Sequence, residues 1–265
     1  MLRPLNSWFV LGFALCLPLL SAHSEPPVRH HLFHPVPRDQ LRDLSPDRPD
    51  VTESPVTVDA GHFQAEVSLF DWTRDRSSDA FTVLATNLKA GLTDRMDFQV
   101  VFDASSWERP GGSGGSGDVQ LRLKRNLWGN DDGRSAFALF PYVTLPGDDG
   151  HGRTEGGLIL PFSLDLTDRM TLGAMSQFDV VWDERTGGHR FESLHSAVLG
   201  FGLTERLGFY TELAAVTGFR PFSLSFSGGC TYRVTEDFVL DAGGLAGLTD
   251  AAEDVGLFLG FTRRF

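Results

Sequence analysis

Asp118-Val119-Gln120-Leu121-Arg122-Leu123-Lys124-Arg125-Asn126 is the stretch on which the reading of the fold turns. Val119, Leu121 and Leu123 project to one side. Asp118, Gln120, Arg122, Lys124 and Asn126 project to the other. Strand side chains alternate faces, so a period of two marks a strand with one apolar and one polar face. The same alternation runs through His62–Trp72, where Phe63, Ala65, Val67 and Leu69 oppose Gln64, Glu66 and Ser68. It recurs in Met96–Asp103, where Met96, Phe98, Val100 and Phe102 oppose Asp97, Gln99 and Asp103. Leu158–Asp165, Phe222–Ser227, Phe238–Gly243 and Val255–Phe265 repeat it. Residues 135–145 and 190–203 alternate poorly, and their faces stay unassigned.

A short repeat sets the spacing. Leu92-Thr93-Asp94-Arg95-Met96 returns as Leu166-Thr167-Asp168-Arg169-Met170 and as Leu203-Thr204-Glu205-Arg206-Leu207, with a weaker copy at Val234–Phe238. Thr and Asp cap their own backbone in tight turns. Gly129-Asn130-Asp131-Asp132-Gly133 fills the gap midway between the first two copies. The intervening connections are longer: Thr73–Ser78, Ser105–Gly117, Pro146–Thr154, Asp183–His189, Gly218–Pro221 and Thr249–Asp254. Five tight turns and six longer loops join twelve strands. Residues 62–265 supply about 17 residues per strand and connection, enough for membrane strands of roughly 9–11 residues. The expectation is an all-β, antiparallel transmembrane β-barrel of about 12 strands, with short periplasmic turns and longer outer loops. Closure pairs every backbone donor and acceptor, which lipid demands.

Composition alone points elsewhere. The chain has 265 residues, a net charge of −12 and a mean hydropathy of −0.11. An acidic balance of 35 against 23 basic residues argues against a nucleic-acid partner. Met1–Ser24 has the anatomy of a secretory signal: Arg3, an apolar run over Trp8–Leu20, and small residues at Ala22 and Ser24. A membrane anchor is the alternative. Cleavage leaves a single cysteine, Cys230, and therefore no intrachain disulfide. Residues 25–60 hold seven prolines and no glycine. That composition favours extended backbone and reads as a Pro-rich periplasmic tail or plug. His30, His31 and His34 fall within it, and solvation is favoured over a metal there. The barrel proper is 61–265.

Phe265 ends an alternating apolar strand at the last residue, and resembles the aromatic signal by which barrel-assembly machinery recognises its clients. Trp72, Trp128, Tyr142, Trp182 and Tyr232 lie near strand ends, where they read either as interfacial girdles or as core aromatics. Asp47-Arg48-Pro49-Asp50-Val51-Thr52-Glu53-Ser54-Pro55-Val56-Thr57-Val58, followed by Gly61-His62-Phe63-Gln64-Ala65-Glu66, resembles the opening of a family of transporter-like outer-membrane barrels named for the meta-pathway of phenol degradation. Gly91–Arg95, Gly117–Val119, Pro141–Val143, Glu155–Leu158, Tyr210–Glu212 and Gly247–Asp250 agree in order. Lys89-Ala90 before Gly91 departs from the aromatic or basic pair the pattern would carry. The resemblance implies a channel or transporter for passive uptake of small, aromatic or apolar compounds.

The lumen-lining candidates are Gln64, Glu66, Asp97, Gln99, Asp103, Arg122, Lys124, Asp165, Asp179, Glu212, Asp241 and Arg264. Arg122 and Lys124 form a basic stripe expected to pair with Asp97 and Asp103 on the preceding strand. Two readings stand: a charge-lined permeation path, or an internal ion-pair network that fills the barrel. Enzyme signals are weak. Gly111–Gly115 matches G-x-S-x-G but lacks the strand-to-helix elbow that motif needs. His195 with a hydroxyl would place a hydrolase site against lipid. A soluble periplasmic β-sandwich is the remaining alternative. No motif calls for a cofactor or a metal. The expected partners are outer-membrane lipid, the assembly machinery and a small permeant.

Overall fold

The computed structural model describes residues 29–109, 117–147 and 153–265. The signal reading at Met1–Ser24 and the Gly111–Gly115 match lie outside them. Twelve strands are present among the described residues. They are β1 (Phe63–Asp75), β2 (Ser78–Thr93), β3 (Met96–Arg109), β4 (Val119–Trp128), β5 (Ser135–Leu145), β6 (Glu155–Thr167), β7 (Met170–Asp183), β8 (Gly188–Gly202), β9 (Leu207–Gly218), β10 (Ser223–Thr235), β11 (Phe238–Gly247) and β12 (Val255–Arg264). Each pairs antiparallel with its sequence neighbours, and β12 returns to β1, with Gln64 opposite Arg264 and Arg74 opposite Val255. The sheet is a closed barrel without edges.

The repeat positions are the tight turns. Thr93, Thr167, Thr204 and Thr235 each bring a side-chain oxygen to the backbone N–H of the residue two further on. One connection differs from expectation. The link between β1 and β2 is only the two residues Arg76 and Ser77, because Asp79 takes hydrogen bonds from Trp72 and Arg74 and zips the hairpin to its tip.

Alternation places the faces as the strand period requires. Along β12, Leu257 and Leu259 are exposed on the outside while Gly256, Gly260, Thr262 and Arg264 are buried within. In β1 the alternation slips after Ser68, where a bulge against β12 puts both Leu69 and Phe70 outside. Trp128 and Tyr232 are exposed outside near the turn end. Tyr142 is not a girdle residue: it is buried inside the barrel.

The poor alternation of 135–145 has a physical cause. Strand β5 turns Ala138, Phe140 and Tyr142 inward, where they pack with Ile159 of β6, Met175 of β7 and Leu194 of β8. Both faces of β5 are apolar, so its hydropathy carries no period of two.

Candidate functional site

The inward faces converge on residues 42–60, which enter from the turn end, reach mid-strand and return to β1. Asp47 sits at the centre. Its backbone N–H donates to both oxygens of Glu66 at 3.1 Å. Its carboxylate accepts from Lys124 Nζ at 3.0 Å and contacts Lys89, which also pairs with Glu66. The chain has only two lysines, and both are spent on this buried cluster of two carboxylates and two ammonium groups. Buried charges persist only when paired and hydrogen-bonded. Burial pushes Asp47 upward, but Lys124 and Lys89 outweigh it and hold the carboxyl well below its ordinary range.

A second anchor is Glu212 on β9. Its oxygens accept from Val51 N–H at 2.9 Å, Thr52 N–H at 2.8 Å, the Thr52 hydroxyl at 2.7 Å and Ser227 at 3.0 Å. Arg48 reaches Asp241 on β11 with two hydrogen bonds, the shorter at 2.7 Å. Glu53 pairs with Arg122, and its backbone N–H lies 3.4 Å from the Met175 sulfur. Burial raises Glu53 to about 7, although Arg122 opposes the shift. On the return path Asn126 donates to the Pro55 carbonyl and Asp97 accepts from Val58 N–H at 3.0 Å. Arg264 bridges Asp59, Asp237 and the Arg42 carbonyl.

Of the twelve lumen candidates, Gln64, Glu66, Asp97, Gln99, Lys124, Asp179, Glu212, Asp241 and Arg264 are buried inside, and Arg122 is half-buried there. Asp179 lies apart from the segment, against Tyr142 and Gln177. Asp165 is exposed at the turn end, where it takes a hydrogen bond from Thr171. The Asp103 side chain lies outside the described atoms. The expected pairing of Arg122 and Lys124 with wall acids is corrected in part. Lys124 stands opposite Asp97 in register, but its hydrogen bonds go to Asp47 and the Val56 carbonyl, and those of Arg122 go to Glu53 and Gln120. The sequence reading missed Asp47, Thr52, Glu53 and Lys89. Alternation puts Lys89 on the face of Asn87, so its inward position was readable, but its partners were not. His195 and Ser176 are hydrogen-bonded at 2.9 Å on an exposed part of β7–β8, and among the described residues no carboxylate completes a triad there.

The family described as "Putative MetA-pathway of phenol degradation" matches residues 46–265. No curated protein matches the chain. Among solved structures, an outer-membrane channel from Pseudomonas putida F1 is similar at a TM-score of 0.59 and 13% identity, over 83% of this chain and 100% of that one. The NanC porin is similar at 0.56 and 9% identity, over 76% and 98%, and the KdgM porin at 0.50 and 8%, over 77% and 99%. These likenesses concern the fold: a closed outer-membrane type of barrel.

Proposed function

Because the chain belongs to this phenol-degradation family, we propose that it is an outer-membrane channel for passive uptake of small apolar or aromatic compounds. In this reading Met1–Ser24 is removed and the barrel sits in the outer membrane, its exposed Leu and Phe side chains against lipid. The observation that carries the reading is an apolar strip inside a polar lumen: Phe140, Ile159, Met175 and Leu194. A barrel that only excluded solvent has no need of one apolar wall facing its own charges. The family description supports an aromatic permeant. Residues 42–60 cover the strip in the docked state, with Glu53 on Met175, so they form the gate of the path.

A second reading has its own support. The balanced cluster of Asp47, Glu66, Lys89 and Lys124 fits a permanently filled barrel with a structural role. Planar-bilayer recording of the full chain separates the two. The channel reading expects discrete conductance that phenol reduces and glucose does not. Complete absence of conductance, in the full chain and after removal of residues 25–60, belongs to the filled barrel.

A further inference from the structure

Two arginines oppose each other at the turn end of the barrel. Leu207 of β9 stands opposite Tyr232 of β10, and the Arg233 N–H donates to the Arg206 carbonyl at 2.8 Å, so Arg206 and Arg233 occupy the next cross-strand position. Both fall on the lumen side. Arg206 shares its face with Gly208 and Tyr210, and Arg233 is in register with the buried Val239. Like charges directly opposite on neighbouring strands are destabilising. Both side chains line a cavity of about 690 Å³, which lies between residues 43–56 and the inward faces of β5–β10 and opens among the tight turns. That is the volume of a small-molecule site and far exceeds what one inorganic ion fills.

Among the described residues neither guanidinium has a hydrogen-bond or ion-pair partner, and nor does that of Arg169, which lines the same cavity from the turn between β6 and β7. Arg233 is half-buried. The other arginines of the cavity are engaged: Arg48 with Asp241, and Arg134 with the Asp165 and Leu166 carbonyls. The acids of the cavity do not serve the free three. Asp43, Asp168 and Glu205 are exposed on the rim and pair with no arginine among the described residues. Asp165 takes a hydrogen bond from Thr171, and Glu53 pairs with Arg122. At Asp50, burial and the charge of Glu212 favour the protonated form. A partly buried guanidinium calls for a hydrogen-bonded anion, and one anion between Arg206 and Arg233 also relieves their mutual repulsion.

We propose that this cavity binds a small organic carboxylate, a single carboxylate group on a compact apolar body. The carboxylate lies between Arg206 and Arg233, whose planar forks match its two oxygens. Arg169 adds positive charge at the mouth, while buried Val198 and Val239 supply apolar wall. The site goes beyond the channel reading and does not require conduction. A chain that conducts but does not bind loses only the site, and a chain that binds without conducting loses only the channel.

The test is isothermal titration of the full chain in detergent at pH 7 with sodium benzoate, against the neutral benzyl alcohol and against inorganic phosphate. We expect saturable binding of benzoate and at least about tenfold weaker binding of the alcohol, since a charge-assisted hydrogen bond outweighs a neutral one by about that factor. Phosphate should bind more weakly than benzoate, because it has no apolar body to bury. Arg233→Gln and Arg206→Gln should each weaken benzoate binding about tenfold, whereas Arg220→Gln, in the connection between β9 and β10 at the opposite end, should leave it unchanged. Arg206 and Arg233 hold no internal side-chain partner among the described residues, so both variants should keep heat-modifiable migration on gels. No saturable binding of benzoate, equal binding of the alcohol or of phosphate, or the same loss in Arg220→Gln as in Arg233→Gln would each overturn the proposal. If Arg233→Gln does not fold, Arg206→Gln and the comparison of the three ligands still decide.

Discussion

Asp47 and Glu212 are the two residues on which docking of the internal segment depends most. Asp47→Asn leaves Lys124 buried without its carboxylate, and breaking a buried pair from one side costs about 3–5 kcal/mol. Chemical denaturation followed by tryptophan fluorescence should show that loss. Glu212→Gln has a narrower effect, because the amide oxygen still accepts from one of the Val51 and Thr52 N–H groups, which donate to different carboxylate oxygens, while its NH2 opposes the other. We expect exchange protection of those two amides to fall by about tenfold or more, a loss of roughly 1–3 kcal/mol, with the barrel amides unchanged. Gly91 tests the close approach from the wall side. A Cβ there would lie 2.0 Å from the Asp59 carbonyl oxygen and 2.7 Å from that of Val58. Gly91→Ala should therefore destabilise the segment where it rejoins β1 by about 1–3 kcal/mol, read by the same exchange experiment at Val58. Alternation along β3 and β4 was enough to place Asp97, Gln99 and Lys124 inside. It could not name the partner of Lys124, because Asp47 lies 77 positions away and periodicity carries no information across that distance.

At the scale of elements, residues 42–60 show how a proline-rich segment can be ordered without a core of its own. It packs few apolar groups against each other, and its polar atoms are satisfied by the wall: Glu66, Asp97, Asn126, Glu212 and Asp241. Composition alone therefore reads it as extended and solvated, since the groups that hold it belong to other strands. Strand β5 was illegible for a different reason, its lumen side being as apolar as its lipid side. The segment should also respond to pH. Glu53 titrates at about 7 when docked and at 4.5 when free. Between those values the docked form keeps a proton the free form has lost, so raising pH weakens docking. Asp50 is raised by burial and by Glu212 and acts in the same direction. Asp47 acts oppositely. Its docked value is lowered, so its contribution is complete above the free carboxylate range and is lost only in acid. Docking should be firmest near pH 4–5 and weaken from there to about pH 7, seen as falling protection of the Val51 and Thr52 amides after correction for intrinsic exchange. Glu53→Gln should flatten that slope. Protection that rises from pH 5 to 7 would contradict the burial of Glu53.

At the scale of the whole molecule, the strand number and connectivity were legible because each tight turn carries its own chemistry and the repeat counts the hairpins. The division of the lumen was not legible. One side is occupied by charge-paired segment and wall, and the other leaves open space against small residues of β5–β10. Twelve strands lie between barrels filled by their own side chains and those with open aqueous channels, so the state of the segment decides which kind this barrel is. The most direct test places cysteines at Thr52 and Ser196, whose hydroxyl oxygens are 2.7 Å apart, with Cys230 replaced by serine. Single-channel conductance is then recorded from one preparation, oxidised and reduced. We expect low conductance with the segment tethered and additional, larger openings after reduction. The same large conductance in both states would contradict a lumen occupied by this segment, and no conductance in either would contradict a channel gated by it.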